Sequence, residues 1–139
     1  MSSVFELGYR YLVPSLKKRL AEIMNKELRM SEVEIARKLK ITPSAVSRYL
    51  SSERGTAIDL TRFPDLDREL SKLARDLIAR DLDWLTIEAR LLEISLLAMS
   101  KKYLCGLHYK LQPIIDPMKC RICPEFFSTS KTHLSNFSE

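Results

Sequence analysis

Residues 30–55 read MSEVEIARKLKITPSAVSRYLSSERG, and their pattern predicts two short helices joined by a tight turn. Ser31 followed by Glu34 is a capping box, which starts the first helix at Glu32. Ile35, Ala36 and Leu39 recur at helical spacing and form its apolar face, and Ile41 is placed to plug the core from the turn. Thr42 is a good N-cap, and Pro43 behind it fits the first helical position, where a missing N–H costs nothing. Val46 and Leu50, with Tyr49 beside them, give the second helix its inward stripe, leaving Ser44, Ser47, Arg48 and Ser51 facing outward. A short helix that exposes small polar groups and one arginine suits a DNA major groove, which excludes bulk and offers hydrogen-bonding base edges. The expectation is a helix-turn-helix.

Within this stretch, IARKLKITPSAVSRYLSSERG resembles the helix-turn-helix of phage-repressor-like transcriptional regulators. More narrowly, it is similar to a family of predicted archaeal regulators in which LVPSLKKRLAEIM precedes the motif and a cysteine cluster follows. The similarity covers about the first 60 residues well and the remainder only loosely. It implies double-stranded DNA as the partner. Ser44, Ser47 and Arg48 are then assigned to base edges, with Arg48 the candidate for bidentate recognition of guanine, while Lys40, Thr42, Ser51 and Arg54 fall nearer the phosphates. The turn position usually held by glycine is here Lys40, which must adopt a left-handed conformation at some cost or use a different turn.

Charge supports the same region. The net charge is +5, and residues 1–63 carry twelve Lys/Arg against seven Asp/Glu, so the excess sits with the motif, as a phosphate-binding surface requires. Residues 64–104 carry seven against eight, and residues 105–139 four against three. With three glycines and few alternating β-branched runs, the chain reads as all-α. There is no apolar run long enough to span a bilayer and no basic-then-apolar leader, so a cytoplasmic protein is expected.

Four segments follow: residues 1–63 as the helix-turn-helix domain, 64–104 as a helical dimerisation region, 105–126 as a metal-binding segment and 127–139 as a Ser/Thr-rich flexible tail. In the first, Pro14 to Leu28 predicts a helix with Leu16, Leu20, Ile23 and Met24 on one face, and Ser51 to Pro64 reads as a loop. In the second, Leu66, Leu70, Leu73 and Leu77 form a helix-packing seam. A further helix starting near Asp81–Asp83 carries Trp84, Leu85, Leu92, Leu96 and Met99. So much apolar surface on a small domain predicts a homodimer, which suits a protein that reads two half-sites.

The second constellation is Cys105-Gly-Leu-His108 followed by Cys120-Arg-Ile-Cys123, which uses all three cysteines of the chain. Each pair has the spacing that lets two side chains bind one ion from a turn, and two such pairs complete a tetrahedron. Cys105, His108, Cys120 and Cys123 are therefore the candidate metal ligands, with His133 as a substitute for His108 and with Lys119 and Arg121 flanking the second pair. Structural zinc is the preferred ion, and the same ligands would suit an iron–sulfur cluster in a redox sensor. The alternative is that the cysteines are small buried hydrophobes, with Cys120 and Cys123 a redox dithiol.

No glycine-rich phosphate loop, nucleophile elbow or histidine–carboxylate motif is present, and four protein ligands would close a zinc site, so no enzymatic activity is expected. The leading expectation is a homodimeric, sequence-specific transcription regulator; a metal-bearing protein-interaction module of the transcription machinery is the alternative.

Overall fold

The computed structural model describes residues 3–128, and every regular element among them is helical. The chain opens with a helical run longer than the sequence predicts. It begins at Val4 rather than Pro14 and comprises α1 (Val4–Leu7), a π-helical turn (Gly8–Leu12), α2 (Val13–Glu22) and a second π turn (Ile23–Glu27). The junction residues Gly8, Val13 and Ile23 all keep right-handed helical dihedrals. Pro14 would clash with the carbonyl four residues back in a regular helix. Here the wider turn carries the chain past it, with the Val13 N–H reaching back five residues to the Gly8 carbonyl. The run ends where Arg29 turns left-handed (φ 56°) and the Met30 N–H bonds the Met24 carbonyl at 3.0 Å.

The two motif helices follow as α3 (Glu32–Leu39) and α4 (Pro43–Leu50). A one-turn 3₁₀ segment (Leu60–Arg62) leads into α5 (Pro64–Ala79), then α6 (Trp84–Ser100), α7 (Cys105–Leu111) and α8 (Ile122–Phe127). Asp83 caps α6 by accepting the Thr86 N–H at 2.8 Å. The helix α2 lies at the centre, packed against α4 and α5 and touching α6 and the 3₁₀ turn. Leu16, Leu20 and Ala21 are fully buried there, joined by Leu12, Ile23 and Met24 from the flanking π turns in one core.

The leucine seam is consumed within the chain. Leu66, Leu70, Leu73 and Leu77 are at most 1% exposed and lie in the same core as the α2 leucines, so they are not available to a second copy. On α6 the inward residues are Ile87, Leu91, Ile94, Ala98 and Met99, whereas Trp84, Leu85 and Leu92 point outward. Residues 64–104 thus complete the monomer core, and the apolar side chains that α6 leaves exposed lie on its outer side.

Polar side chains on α2 fix its neighbours. Arg19 makes a two-pronged ion pair with Asp67, its Nε 2.6 Å from Oδ1 and its Nη2 3.2 Å from Oδ2. The buried Ser15 hydroxyl donates to the Tyr11 carbonyl at 2.6 Å and accepts the Ile58 N–H at 3.2 Å, pinning the loop after α4. That loop needs Gly55, whose φ is +74° and where a Cβ would stand 2.3 Å from the Pro14 carbonyl oxygen.

In the same first turn of α5, Asp65 gathers the chain that leaves α6. Its Oδ2 accepts from Lys101 Nζ at 2.9 Å and from the Tyr103 hydroxyl at 3.0 Å, beneath a stacked Phe63–Tyr103 pair. Burial opposes ionisation of Asp65, but the hydrogen bonds from Lys101, Tyr103 and the Leu66 N–H outweigh it and hold the carboxyl below its ordinary value. A depressed folded pKa stabilises the fold above the unfolded carboxylate range and loses that contribution as pH falls through the folded value. Between about pH 5 and pH 2 the denaturation midpoint should therefore fall more steeply for the native chain than for Asp65→Asn, measured by urea unfolding at a series of pH values.

Candidate nucleic-acid interface

The predicted local structure of residues 30–55 is present. Ser31 accepts the Glu34 N–H at 3.2 Å and Glu34 Oε1 accepts the Ser31 N–H at 3.4 Å, closing the capping box. Met30 and Ile35, flanking that cap, both enter the core. Thr42 accepts the Ala45 N–H at 3.1 Å, with Pro43 at the start of α4. Lys40 does take the left-handed conformation (φ 60°, ψ 37°), and its N–H and that of Ile41 both reach the Ala36 carbonyl.

The helix α4 is anchored from beneath. Val46 and Tyr49 are buried and Leu50 is half-buried against the same core. Lys18 of α2 reaches the end of α4, donating to the Tyr49 carbonyl at 3.1 Å and to Ser52 Oγ at 3.2 Å, where a cation suits the negative end of the helix. Nothing in local sequence spacing pointed to Lys18, because its partners lie 31 and 34 residues away.

The opposite face is open. Ser44, Ser47, Arg48 and Ser51 are all exposed and lie at helical spacing on one side of α4. The Arg48 guanidinium makes no ion pair or hydrogen bond with another described residue, and neither do the Ser44 and Ser47 hydroxyls; Ser51 Oγ donates to the Arg48 carbonyl at 3.3 Å. The other three assigned residues are more constrained. Thr42 is engaged as a cap but keeps its O–H to donate. Burial pushes the Tyr49 phenol up, while the nearby charge of Arg54 pulls the other way, which places the Arg54 guanidinium close to the end of α4. Lys40 is paired, its Nζ 2.9 Å from Asp81 Oδ1. That hydrogen bond, the Lys40 charge and, more weakly, those of Lys38 and Arg37 hold the exposed Asp81 carboxyl below its ordinary value.

The cysteine segment is partly assembled. Cys105 opens α7, His108 follows one turn later, Cys120 lies in the turn after Asp116 and Cys123 is buried on α8, which packs against α6. Burial pushes the Cys123 thiol up to about 11, reinforced by Cys105 and Cys120, and Cys105 is raised by its own burial and by Cys120. The three thiols therefore lie within electrostatic reach of one another. The cation acting on them is Lys102, which lowers both Cys105 and Cys123; Arg121, which flanks the second pair in sequence, pairs with Glu125 at 3.1 Å. Among the described residues, no group of three or more histidine, cysteine, aspartate or glutamate side chains is arranged to hold a metal ion. His133 and most of the predicted tail lie outside the described residues.

Comparisons with protein-family models, curated proteins and solved structures returned no match. No helix among the described residues is long and apolar enough to cross a membrane.

The left-handed Lys40 yields a direct test of the turn. Lys40→Gly should raise stability by ~0.5–1 kcal/mol, since the left-handed cost of a β-carbon exceeds the extra unfolded-state entropy of glycine. The urea midpoint should move up at unchanged slope. A drop would mean that the Lys40–Asp81 pair outweighs the backbone strain.

Proposed function

We propose that this chain is a sequence-specific, homodimeric DNA-binding regulator of transcription that presents α4 to the major groove. The observation that carries the reading is the pairing of an anchored inner face with an unengaged outer one. Val46, Tyr49 and the Lys18 contact fix α4, and Ser44, Ser47 and Arg48 are left with their hydrogen-bonding groups unspent. Duplex DNA supplies what such a surface lacks, acceptors on guanine for Arg48 and phosphate oxygens for the surrounding hydroxyls and cations. The basic excess of residues 1–63 serves the same partner. Lys40 contributes only by exchanging Asp81 for a phosphate.

Arg48→Ala should cost ~1–3 kcal/mol at a preferred site and relax discrimination there, while the salt slope of binding stays nearly unchanged. Sites selected from a random duplex pool, followed by fluorescence anisotropy at several salt concentrations, supply the measurement. Full discrimination in the variant would remove Arg48 from base recognition, and no binding to any duplex at low salt would favour the protein-interaction reading.

We further infer that Cys105, Cys120 and Cys123, with His108, form a structural zinc site that secures α7 and α8. The mutual reach of the three thiols supports this. Binding would have to draw the donors closer than their described arrangement and displace protons from two thiols that burial holds protonated. One zinc per chain is expected by elemental analysis of anaerobically purified protein, lost in both Cys105→Ser and Cys120→Ser. Metal content unaffected by either change contradicts the site, and visible absorbance with bound iron replaces zinc by an iron–sulfur cluster.

A further inference from the structure

The outer side of α6 and the start of the chain form one apolar face. Phe5, Tyr9 and Val13 wall one side of a groove of about 340 Å³, and Leu92, Leu96 and Met99 wall the other. Phe5 is 75% exposed, Tyr9 81% and Leu92 50%, and Trp84 and Leu85 extend the exposed apolar surface along α6. Large side chains of this kind on one contiguous face mark an interaction site rather than ordinary surface.

Lys17 and Glu88 identify the partner. Both line this groove and also the neighbouring recess beside Trp84, so they sit amid the apolar face rather than at its margin. Both are half-buried, and neither makes an ion pair or hydrogen bond with a described residue. One unspent cation and one unspent anion on a shared apolar face are self-complementary. In a two-fold contact, Lys17 of each chain meets Glu88 of the other, because an isologous interface pairs residue i with j and j with i. A nucleic acid or an anionic membrane would leave Glu88 opposed by like charge.

We propose that the Phe5–Tyr9–Leu92 face pairs with the same face of a second copy, with two symmetric Lys17–Glu88 ion pairs across it. This rests on the homodimer reading above and names its surface. Enclosure by the surrounding side chains makes such pairs directional, so reversing one charge is penalised twice per dimer.

Sedimentation equilibrium of the full-length chain and its variants tests the proposal. The native chain should be a dimer at micromolar concentration, and Leu92→Lys a monomer there. Lys17→Glu and Glu88→Lys should each weaken association by roughly tenfold or more, while the double reversal restores it to near the native value. A monomeric native chain overturns the proposal. So does a Leu92→Lys variant as dimeric as the native chain, or a double reversal no better than either single one. A chain that dimerises through this face without binding any duplex overturns the DNA reading alone, and a monomer that binds DNA overturns this interface and the homodimer reading but not the DNA reading.

Discussion

The enclosure of α2 is the constraint on which the remaining structure depends. Leu16 and Leu20 are wholly buried, and the helix that carries them is contacted by α4, α5 and α6. A helix surrounded in this way commits its most buried polar groups, and three of them each hold a different neighbour. Ser15 holds the loop after α4, Lys18 the end of α4, and Arg19 the start of α5. The orientation of α4 is therefore set by a helix outside the motif. Removing one partner of the Arg19–Asp67 pair would leave the other charge half-buried and would disturb the contact between α2 and α5.

Much of this was legible from sequence because it is local. The Ser31–Glu34 box, the Thr42–Pro43 cap and the strained Lys40 turn are set within a few residues, and each is present in the structure. The helical run before the motif was legible only from Pro14 onward. Proline ordinarily marks a helix start, and the π turn that lets the helix pass it leaves no signature in the apolar pattern. The seam Leu66–Leu70–Leu73–Leu77 was correctly seen as a buried stripe, but periodicity does not say which helix covers it, and α2 of the same chain does so. Conversely, the face that remains open is built from Phe5 and Tyr9 at the start of the sequence and Leu92 far along it on α6, a juxtaposition that only the fold creates.

The cysteine segment divides in the same way. The two-residue spacing within each pair is local and visible, whereas the approach of Cys105 to Cys120 and Cys123 depends on how α8 packs against α6. Lys102, the cation that acts on these thiols, precedes the segment and was invisible to spacing; the flanking Arg121 turns instead to Glu125. On the exposed side of α4, Arg48, Ser44 and Ser47 were identifiable because helical phase places them opposite Val46, while the pairing of Lys40 with Asp81 spans 41 residues and needed the structure.

The assignment of α4 to the major groove is tested most directly by recording amide chemical shifts of the labelled protein during titration with a short duplex at low salt. Shifts concentrated at Ser44, Ser47, Arg48 and Ser51, reduced by added salt, are the expected result. Shifts confined to α6 and the cysteine segment, or none at any duplex concentration, would contradict it.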